Sequence, residues 1–372
     1  MDSLRIAMIS QGHRTLPPSG SVISAPNTLA TALAKELQRF GHKVTLFAAA
    51  NSTMGVPVDD AGLSSLLAAK AQAGWSDAQY LDLQWQYDLY AGLRALRSHP
   101  KFDVIHAHDY RRLPFLAPLT LQPVIYSLHG TIPSRSLSEP LKKILSEYRG
   151  QQYVVAASRA QQNQSAQEFR WAGIIPHGIE VDQIPFANQP SGEYLFVGRL
   201  IPGKQPDHAI RAALAASVPL RIIGQPGAHE SDAQYFEQTL EPLFGDDAIT
   251  YQGYIPHPEL LSEYGAKALL FPTAYQEAFG MVMIEAMAAG TPIIAYDRGP
   301  VREIIADSVT GYVVDPRTGI EGLTQAIRTL EALNLADYQA MRRACRSRVE
   351  QHFSLNAMAR GYERLYQSVL SE

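Results

Sequence analysis

The sequence lacks the features that several classes of protein require. Cys345 is the only cysteine among 372 residues, so no disulfide can form within the chain and an oxidising compartment is not needed. No apolar run approaches the roughly 18 residues of a membrane-spanning helix. The formal net charge of −4 argues against a broad nucleic-acid-binding surface. These absences lead us to expect a soluble, cytoplasmic protein.

The chain is longer than a single hydrophobic core usually supports, which predicts two domains. Its contents of 46% hydrophobic and 18% charged residues are ordinary for a globular protein. The apolar run that ends at Ser10 follows the acidic Asp2, so we interpret it as a first strand and not as a signal peptide.

The N-terminal half begins with a strand at residues 4–10, followed by a loop rich in Pro, Ser and Gly. Leucines at helical spacing predict a helix over residues 26–40, which Gly41 ends, and a second strand follows at residues 43–48. This order is typical of a parallel α/β sheet. Ligands of such sheets bind at the carboxyl ends of the strands.

The carboxyl ends of two later strands carry histidines. Further strands of this half are predicted at residues 102–107, 124–128 and 153–158. The first ends in His106-Ala-His108-Asp109, where residues 106 and 108 share one face of the strand, as two metal ligands would. The sequence offers no evident third group of ligands, so we predict polar residues lining a ligand cleft and no metal site. His129 follows the second strand.

The most informative stretch of the second half runs from Glu277 to Glu285, with the sequence EAFGMVMIE. A hydrophobic strand precedes it and an Ala- and Met-rich helix follows, so the predicted order is strand, loop, helix. Gly280 allows a ligand to approach the backbone, and the N–H groups at the start of a helix favour an anion such as phosphate. A carboxylate on either side of a phosphate fits a sugar nucleotide.

Two cations follow an earlier strand of the same half. Arg199 and Lys204 surround a turn that contains Pro202 and Gly203. At the helix end described above, they would neutralise the charge that develops on a departing diphosphate. On an isolated surface turn they would be an ordinary solvated pair.

Several ordered blocks together resemble the family 4 retaining glycosyltransferases. They comprise the E-x7-E motif at 277–285, the basic loop at 197–204, the segment PHGIEVD at 176–182, and the blocks at 290–299 and 310–314. The resemblance implies an α/β fold of the GT-B type, with two facing Rossmann-like doubly wound domains and a deep interdomain cleft. We expect an acceptor-binding domain at residues 1–175, a donor domain at 176–352, and a last helix at 353–372 that crosses back to the first domain.

The resemblance also assigns roles to individual residues. The catalytic set would be His129, Glu277, Arg199 and Lys204. The donor-binding set would be Glu285, Ala278, Phe279, Gly280, Met281, Val282, Gly224, Tyr254 and Gly20. The acceptor candidates, chosen because they lie in loops after strands of the first domain, are Arg14, Tyr110, Arg111, Arg112 and Arg135.

The implied activity is retaining, metal-independent transfer of a hexose-type sugar, without a cofactor. The donor would be a UDP-sugar, or next a GDP-sugar, and the acceptor a hydroxyl of a small molecule or saccharide. Hydrolysis by the carboxylate pair is an alternative that the phosphate-binding residues oppose. A sugar-nucleotide epimerase, a sugar phosphorylase and a catalytically silent nucleotide-sugar binder stay open. The silent binder is considered because the first loop, around Gly20–Asn27, has one glycine where the family has two.

Overall fold

The computed structural model describes residues 3–10, 15–16, 25–50, 52, 55–98, 101–108, 110–227 and 229–372. The chain folds into two compact units. Unit 1 comprises Met1–Gly178 and Leu355–Glu372, and unit 2 comprises Ile179–Ser354. The limits expected from the sequence, after residues 175 and 352, lie within three residues of these divisions.

Unit 1 is built on a sheet of seven parallel strands in the order β3-β2-β1-β4-β5-β6-β7. Its strands are β1 (Arg5–Ile9), β2 (Lys43–Phe47), β3 (Val58–Asp59), β4 (Val104–Ala107), β5 (Val124–Ser127), β6 (Gln152–Ala156) and β7 (Trp171–Ile174). Its described α-helices are α1 (Ala25–Arg39), α2 (Leu66–Ala73), α3 (Asp77–Arg97), α4 (Glu139–Glu147) and α5 (Arg159–Gln164), with α13 (Leu355–Ser371) from the end of the chain.

Burial explains which strands of unit 1 could be predicted. The central strands β4, β5 and β6 are buried at every position, and their apolar runs identify them in the sequence. The sequence did not reveal β3 and β7, which lie at the two edges of the sheet. The first has two residues and the second is half-buried throughout, so neither gives a clear pattern.

Unit 2 is built on a second parallel sheet, of six strands in the order β10-β9-β8-β11-β12-β13. Its strands are β8 (Tyr194–Val197), β9 (Leu220–Ile223), β10 (Ile249–Gly253), β11 (Leu269–Phe271), β12 (Ile293–Tyr296) and β13 (Gly311–Val314). Its described α-helices are α6 (Pro206–Ala216), α7 (Glu230–Tyr235), α8 (His257–Glu263), α9 (Met281–Ala288), α10 (Val301–Ile304), α11 (Gly319–Glu331) and α12 (Leu335–His352).

One helix of unit 2 differs from the prediction. The sequence favours a single α-helix over residues 233–243, whereas α7 ends at Tyr235. A π-helical segment, Phe236–Leu240, and a 3₁₀ segment, Glu241–Gly245, follow it. Pro242, which has no N–H group to donate within a helix, lies at the start of the 3₁₀ segment.

The last helix, α13, packs against α1 in unit 1. Nδ2 of Asn356 donates to Oε1 of Glu36 at 3.2 Å, and the guanidinium of Arg360 lies 4.3 Å from the ring centroid of Phe40. Eight residues of α13 are buried, at roughly helical spacing. Its amphipathic pattern in the sequence therefore corresponds to a helix with one face in the core.

Arg112 lies in the loop after β4, as expected, but its side chain is buried. It is 8% exposed, and its guanidinium forms an ion pair with Asp88 of α3, itself 1% exposed. The guanidinium also lies 5.6 Å from the ring centroid of Trp85. A buried, paired guanidinium has little freedom to bind a ligand, so this placement favours a structural role over the expected contact with an acceptor.

We predict that Asp88→Asn destabilises unit 1 by about 3–5 kcal/mol, because it leaves the buried charge of Arg112 without its carboxylate. The three tryptophans, Trp75, Trp85 and Trp171, all belong to unit 1, so urea denaturation followed by tryptophan fluorescence reports on this unit alone. Arg135→Ala, at an exposed position, is the control and should change stability by less than about 0.5 kcal/mol. Equal midpoints for the two variants would contradict the prediction.

Candidate active site

The N-terminus of α9 forms the centre of the candidate site in unit 2. The loop after β11 ends at Gly280, whose φ of +98° is in the left-handed region that favours glycine. A Cβ atom there would lie 2.6 Å from Cε of Met283. The loop residues Ala278, Phe279 and Gly280 thus lead directly into the first turn of α9, where Met281 and Val282 are half-buried. The first N–H groups of a helix have no acceptor within it, and they attract anions.

Glu277 and Lys204, predicted from separate motifs, form an ion pair beside this helix end. Nζ of Lys204 contacts Oε1 of Glu277, and each side chain is 18% exposed. The hydroxyl of Thr273 lies 3.4 Å from the same carboxylate oxygen and 3.2 Å from the carbonyl oxygen of Gly203. The structure therefore brings a cation, a carboxylate and a helix N-terminus together.

Two glycines allow the loops around this pair to pack closely. A Cβ atom on Gly203 would lie 2.1 Å from the ring of Tyr275, and the backbone N–H of Ala274 donates to the carbonyl of Gly203 at 3.0 Å. A Cβ atom on Gly299, whose φ is +55°, would lie 2.7 Å from the carbonyl oxygen of Glu277. The backbone around Lys204 and Glu277 is thus fixed by contacts that any larger residue would disturb.

Arg199 supplies a second cation to the same strand end. It follows β8, is exposed, and pairs with no carboxylate among the residues that the structure describes. Because the charges of Lys204 and Glu277 cancel, the positive charge of Arg199 and the roughly +0.5 charge of the helix end dominate the site. The balance favours an anion such as a diphosphate.

Glu285 lies in the second turn of α9 and is 5% exposed. The hydroxyl of Tyr264 donates to Oε2 at 2.6 Å, and Nε2 of His257 lies 3.0 Å from Oε1. The hydrogen bond to Glu285 raises the pKa of His257 above its ordinary value. Both carboxylate oxygens are therefore fixed by side chains that the sequence analysis did not select. His257 and Tyr264 lie 28 and 21 positions before Glu285, and no local motif links them to it.

Gly224 and Tyr254, expected to line a pocket for the nucleotide base, lie at neighbouring strand ends. The N–H of Gly224 donates to the carbonyl of Gly253 at 2.8 Å. A Cβ atom on Gly224 would lie 1.9 Å from the carbonyl oxygen of Gly198, so only glycine allows the loops after β8 and β9 to approach this closely. Tyr254 is half-buried directly after β10.

His129 belongs to unit 1, directly after the β5 strand end, where it is half-buried. Its Nε2 lies 2.8 Å from Nδ1 of His108, and its ring stacks on the rings of His108 and His177. Burial lowers the pKa of His129 to about 4. The imidazole is accordingly neutral near pH 7 and can act as a hydrogen-bond donor or acceptor.

The remaining acceptor candidates have different surroundings. Tyr110 is half-buried against Phe169, and Nε of Arg111 donates to its hydroxyl at 3.0 Å. Arg135 is exposed in the 3₁₀ segment Ser134–Ser136. Arg14, Gly20 and Asp109 lie outside the described residues. Within the part of the chain that is described, no group of three or more His, Cys, Asp or Glu side chains is arranged to hold a metal ion.

Comparisons with known proteins agree with this architecture in both halves. Residues 27–183 match the family model "Glycosyltransferase Family 4", and residues 180–351 match "Glycosyl transferases group 1". The D-inositol 3-phosphate glycosyltransferase of Kribbella flavida is 25% identical over 88% of this chain and 87% of its own length.

Solved structures share the fold over nearly the whole chain. The sucrose-phosphate synthase of Thermosynechococcus elongatus superposes with a TM-score of 0.74 at 20% identity and covers 99% of each chain. The Anabaena protein HepE, solved with UDP and glucose, gives a TM-score of 0.70 at 16% identity and covers 98% of this chain and 100% of its own.

The two α/β units and the comparisons together define a glycosyltransferase with the GT-B fold that uses a nucleotide sugar. Within this class, the chain resembles glycosyltransferase family 4, whose model its first half matches, while its second half matches the group 1 model. In the described residues, no helix is both long enough and apolar enough to cross a membrane.

We predict that the His257–Glu285 pair stabilises unit 2 in a pH-dependent way. Since folding raises the pKa of His257 above its ordinary 6.5, the stabilisation is complete below pH 6.5 and is lost as the pH rises through the raised value. The gap in melting temperature between the wild type and His257→Gln should be about 1–2 °C at pH 6 and close to zero at pH 9. Differential scanning calorimetry measures it, and a gap that does not change with pH would contradict the prediction.

Proposed function

We propose that this chain transfers a hexose-type sugar from a nucleoside diphosphate sugar to a hydroxyl of a small molecule or saccharide, with retention of the anomeric configuration. A UDP-sugar is the first candidate donor and a GDP-sugar the second. The observation that carries the proposal is the ion pair between Lys204 and Glu277, which joins the turn after β8 to the loop that leads into α9 in unit 2. UDP is bound by a structural relative, and this supports testing uridine nucleotides first.

The donor diphosphate would be bound by Arg199, Lys204 and the backbone N–H groups of residues 278–282. Arginine presents a planar fork to two phosphate oxygens, and lysine presents a point charge. These groups stabilise the charge that develops on the diphosphate as it leaves. Because they carry the positive charge that a divalent cation would otherwise supply, we propose that transfer needs no metal.

The two glutamates would bind hydroxyl groups on either side of the diphosphate. Glu277, held by Lys204, would accept hydrogen bonds from the transferred sugar. Glu285 would accept hydrogen bonds from the ribose, and its contacts with Tyr264 and His257 fix its orientation before the donor binds. Gly224 and Tyr254 would line the pocket for the base.

In the transfer step, the acceptor hydroxyl oxygen would form a bond to the anomeric carbon as the bond from that carbon to the β-phosphate oxygen breaks. The β-phosphate would take the acceptor proton on the same face of the sugar, which retains the configuration. His129 would hydrogen-bond to the sugar or the acceptor. Tyr110, Arg111 and Arg135 are the proposed acceptor contacts in unit 1, and a cytoplasmic location completes the proposal.

The proposal is tested by incubating the purified protein with UDP-glucose, UDP-N-acetylglucosamine or GDP-mannose in EDTA, with a panel of sugar and polyol acceptors. We expect one donor to be turned over, with or without an acceptor, and ¹H NMR to show an α-linked product from an α-linked donor. Glu277→Gln should lower kcat by at least roughly 100-fold, because it removes a charge needed in the transition state.

Arg211→Gln, at an exposed position on α6, is the matched control and should retain wild-type turnover. Turnover that requires a divalent cation, or a β-linked product, would contradict the corresponding part of the proposal. Nucleotide binding without turnover of any donor would favour the catalytically silent binder.

A further inference from the structure

Four histidines of unit 1 form a stacked column: His106, His108, His129 and His177. Their successive ring centroids are 4.7, 5.1 and 5.3 Å apart, and the successive interplanar angles are 24°, 18° and 27°. His106, His108 and His177 are each at most 7% exposed. The site described above uses only His129, so the other imidazoles need an explanation.

The column rests on a fixed base. Nδ1 of His106 is hydrogen-bonded to the hydroxyl of Tyr366 at 2.7 Å, and its Nε2 to the hydroxyl of Ser127 at 2.7 Å. The hydroxyl of Ser127 in turn lies 2.5 Å from that of Tyr362. Both ring nitrogens of His106 are thus occupied, so its ring plane is set, and His108 stacks on it.

His108 has a different contact with the next ring. Its Nδ1 lies 2.8 Å from Nε2 of His129. Nε2 of His108 and Nδ1 of His129 are buried and have no hydrogen-bond partner among the described residues. Between two neutral imidazoles, one nitrogen of the short contact must carry the proton and the other must accept it. The tautomers of His108 and His129 are therefore coupled.

Among the described residues, the titratable groups in contact with the rings of His108 and His129 are His106 and His177, with Tyr366 behind His106. Burial lowers the pKa of each imidazole in the column and raises that of the tyrosine. The four imidazoles are consequently neutral at pH 7. What remains to be determined is which nitrogen of each ring carries the proton.

We propose that His108 is a positioning residue for His129: its hydrogen bond and its stacking fix the ring plane and select one tautomer, so that Nδ1 of His129 presents a defined donor or acceptor to a substrate hydroxyl. A functional imidazole depends in this way on the partner of its other nitrogen. The substrate side of this inference rests on the proposed function, whereas the tautomer itself is a property of the protein alone.

The test is ¹⁵N NMR of histidine-labelled protein at pH 7.5, with His129→Gln used to assign the His129 signals. We expect a single neutral tautomer of His129 in the wild type. His108→Phe keeps an aromatic ring in the column but removes the hydrogen bond, so the His129 signals should show both tautomers. His108→Asn places an amide near the position of Nδ1 and should restore one tautomer. An unchanged His129 spectrum in His108→Phe would overturn the proposal.

A kinetic measurement complements the NMR test. In His108→Phe, kcat for donor turnover should fall roughly 10- to 100-fold, while KM for the donor should stay within about twofold of the wild-type value. A loss of this size is typical when the hydrogen-bond partner that orients a metal-bound imidazole is removed. His108→Asn should recover most of kcat. Circular dichroism and the melting temperature verify that both variants fold. A parallel loss of folding and kcat in both variants would indicate a merely structural role and would contradict the proposal.

The outcomes distinguish this inference from the proposed function. If the wild type turns over no nucleotide sugar but the tautomer depends on residue 108, the positioning of His129 stands and the proposed function fails. If the wild type is active and the His129 spectrum does not respond to His108→Phe, the proposed function stands and the positioning role is wrong.

Discussion

The ion pair between Lys204 and Glu277 is the contact on which the candidate site depends. It joins the turn after β8 to the loop before α9, and both loops reach it because Gly203 and Gly299 leave no side chain in the way. The pair also neutralises two charges that are largely removed from solvent, which would be costly to hold there separately. A diphosphate that competes for Lys204 therefore acts on a lysine whose position is already defined.

The polar groups of the two units differ in kind: unit 2 presents formal charges, and the histidine column of unit 1 presents hydrogen-bonding groups without charge. In unit 2, formal charges and a helix end surround the expected place of the diphosphate, where charge must be stabilised. In unit 1, the column of buried imidazoles is neutral, and its contribution lies in the directions of its hydrogen bonds. The proposed transfer of a sugar to a hydroxyl group would use both, because the leaving group gains charge while the acceptor must be oriented.

The sequence was sufficient where a local pattern determined the structure. The sequence predicts strands at residues 194–197, 220–223 and 269–271, and β8, β9 and β11 have these limits, since most ends of their short apolar runs are marked by Gly, Pro or polar residues. The E-x7-E motif likewise led to the N-terminus of α9, because a glycine before an apolar helix is visible in the sequence. Arg199 and Lys204 were selected for their place around a turn after a strand, and the resemblance to the family assigned their role.

Features that depend on distant residues were not predicted. Glu285 is held by two side chains: His257 belongs to α8, and Tyr264 directly follows that helix. Only folding brings these two side chains to the carboxylate. Arg112 was expected to contact an acceptor because it follows a strand, and the sequence gives no sign of its buried partner, Asp88. The edge strands β3 and β7 were missed for a related reason, as their pairing with a neighbour and not their own pattern defines them.

The central claim is that Lys204 binds the diphosphate while Glu277 binds the transferred sugar. Calorimetric titration with UDP, which lacks the sugar, separates these roles in the variants Lys204→Met and Glu277→Gln. Loss of a charge-assisted hydrogen bond should weaken UDP binding about 10- to 100-fold in Lys204→Met. Glu277→Gln should bind UDP at least as tightly as the wild type, because Lys204 is released from its carboxylate partner. Equal weakening in both variants would show that the pair is only structural, and unchanged affinity in Lys204→Met would place the diphosphate elsewhere.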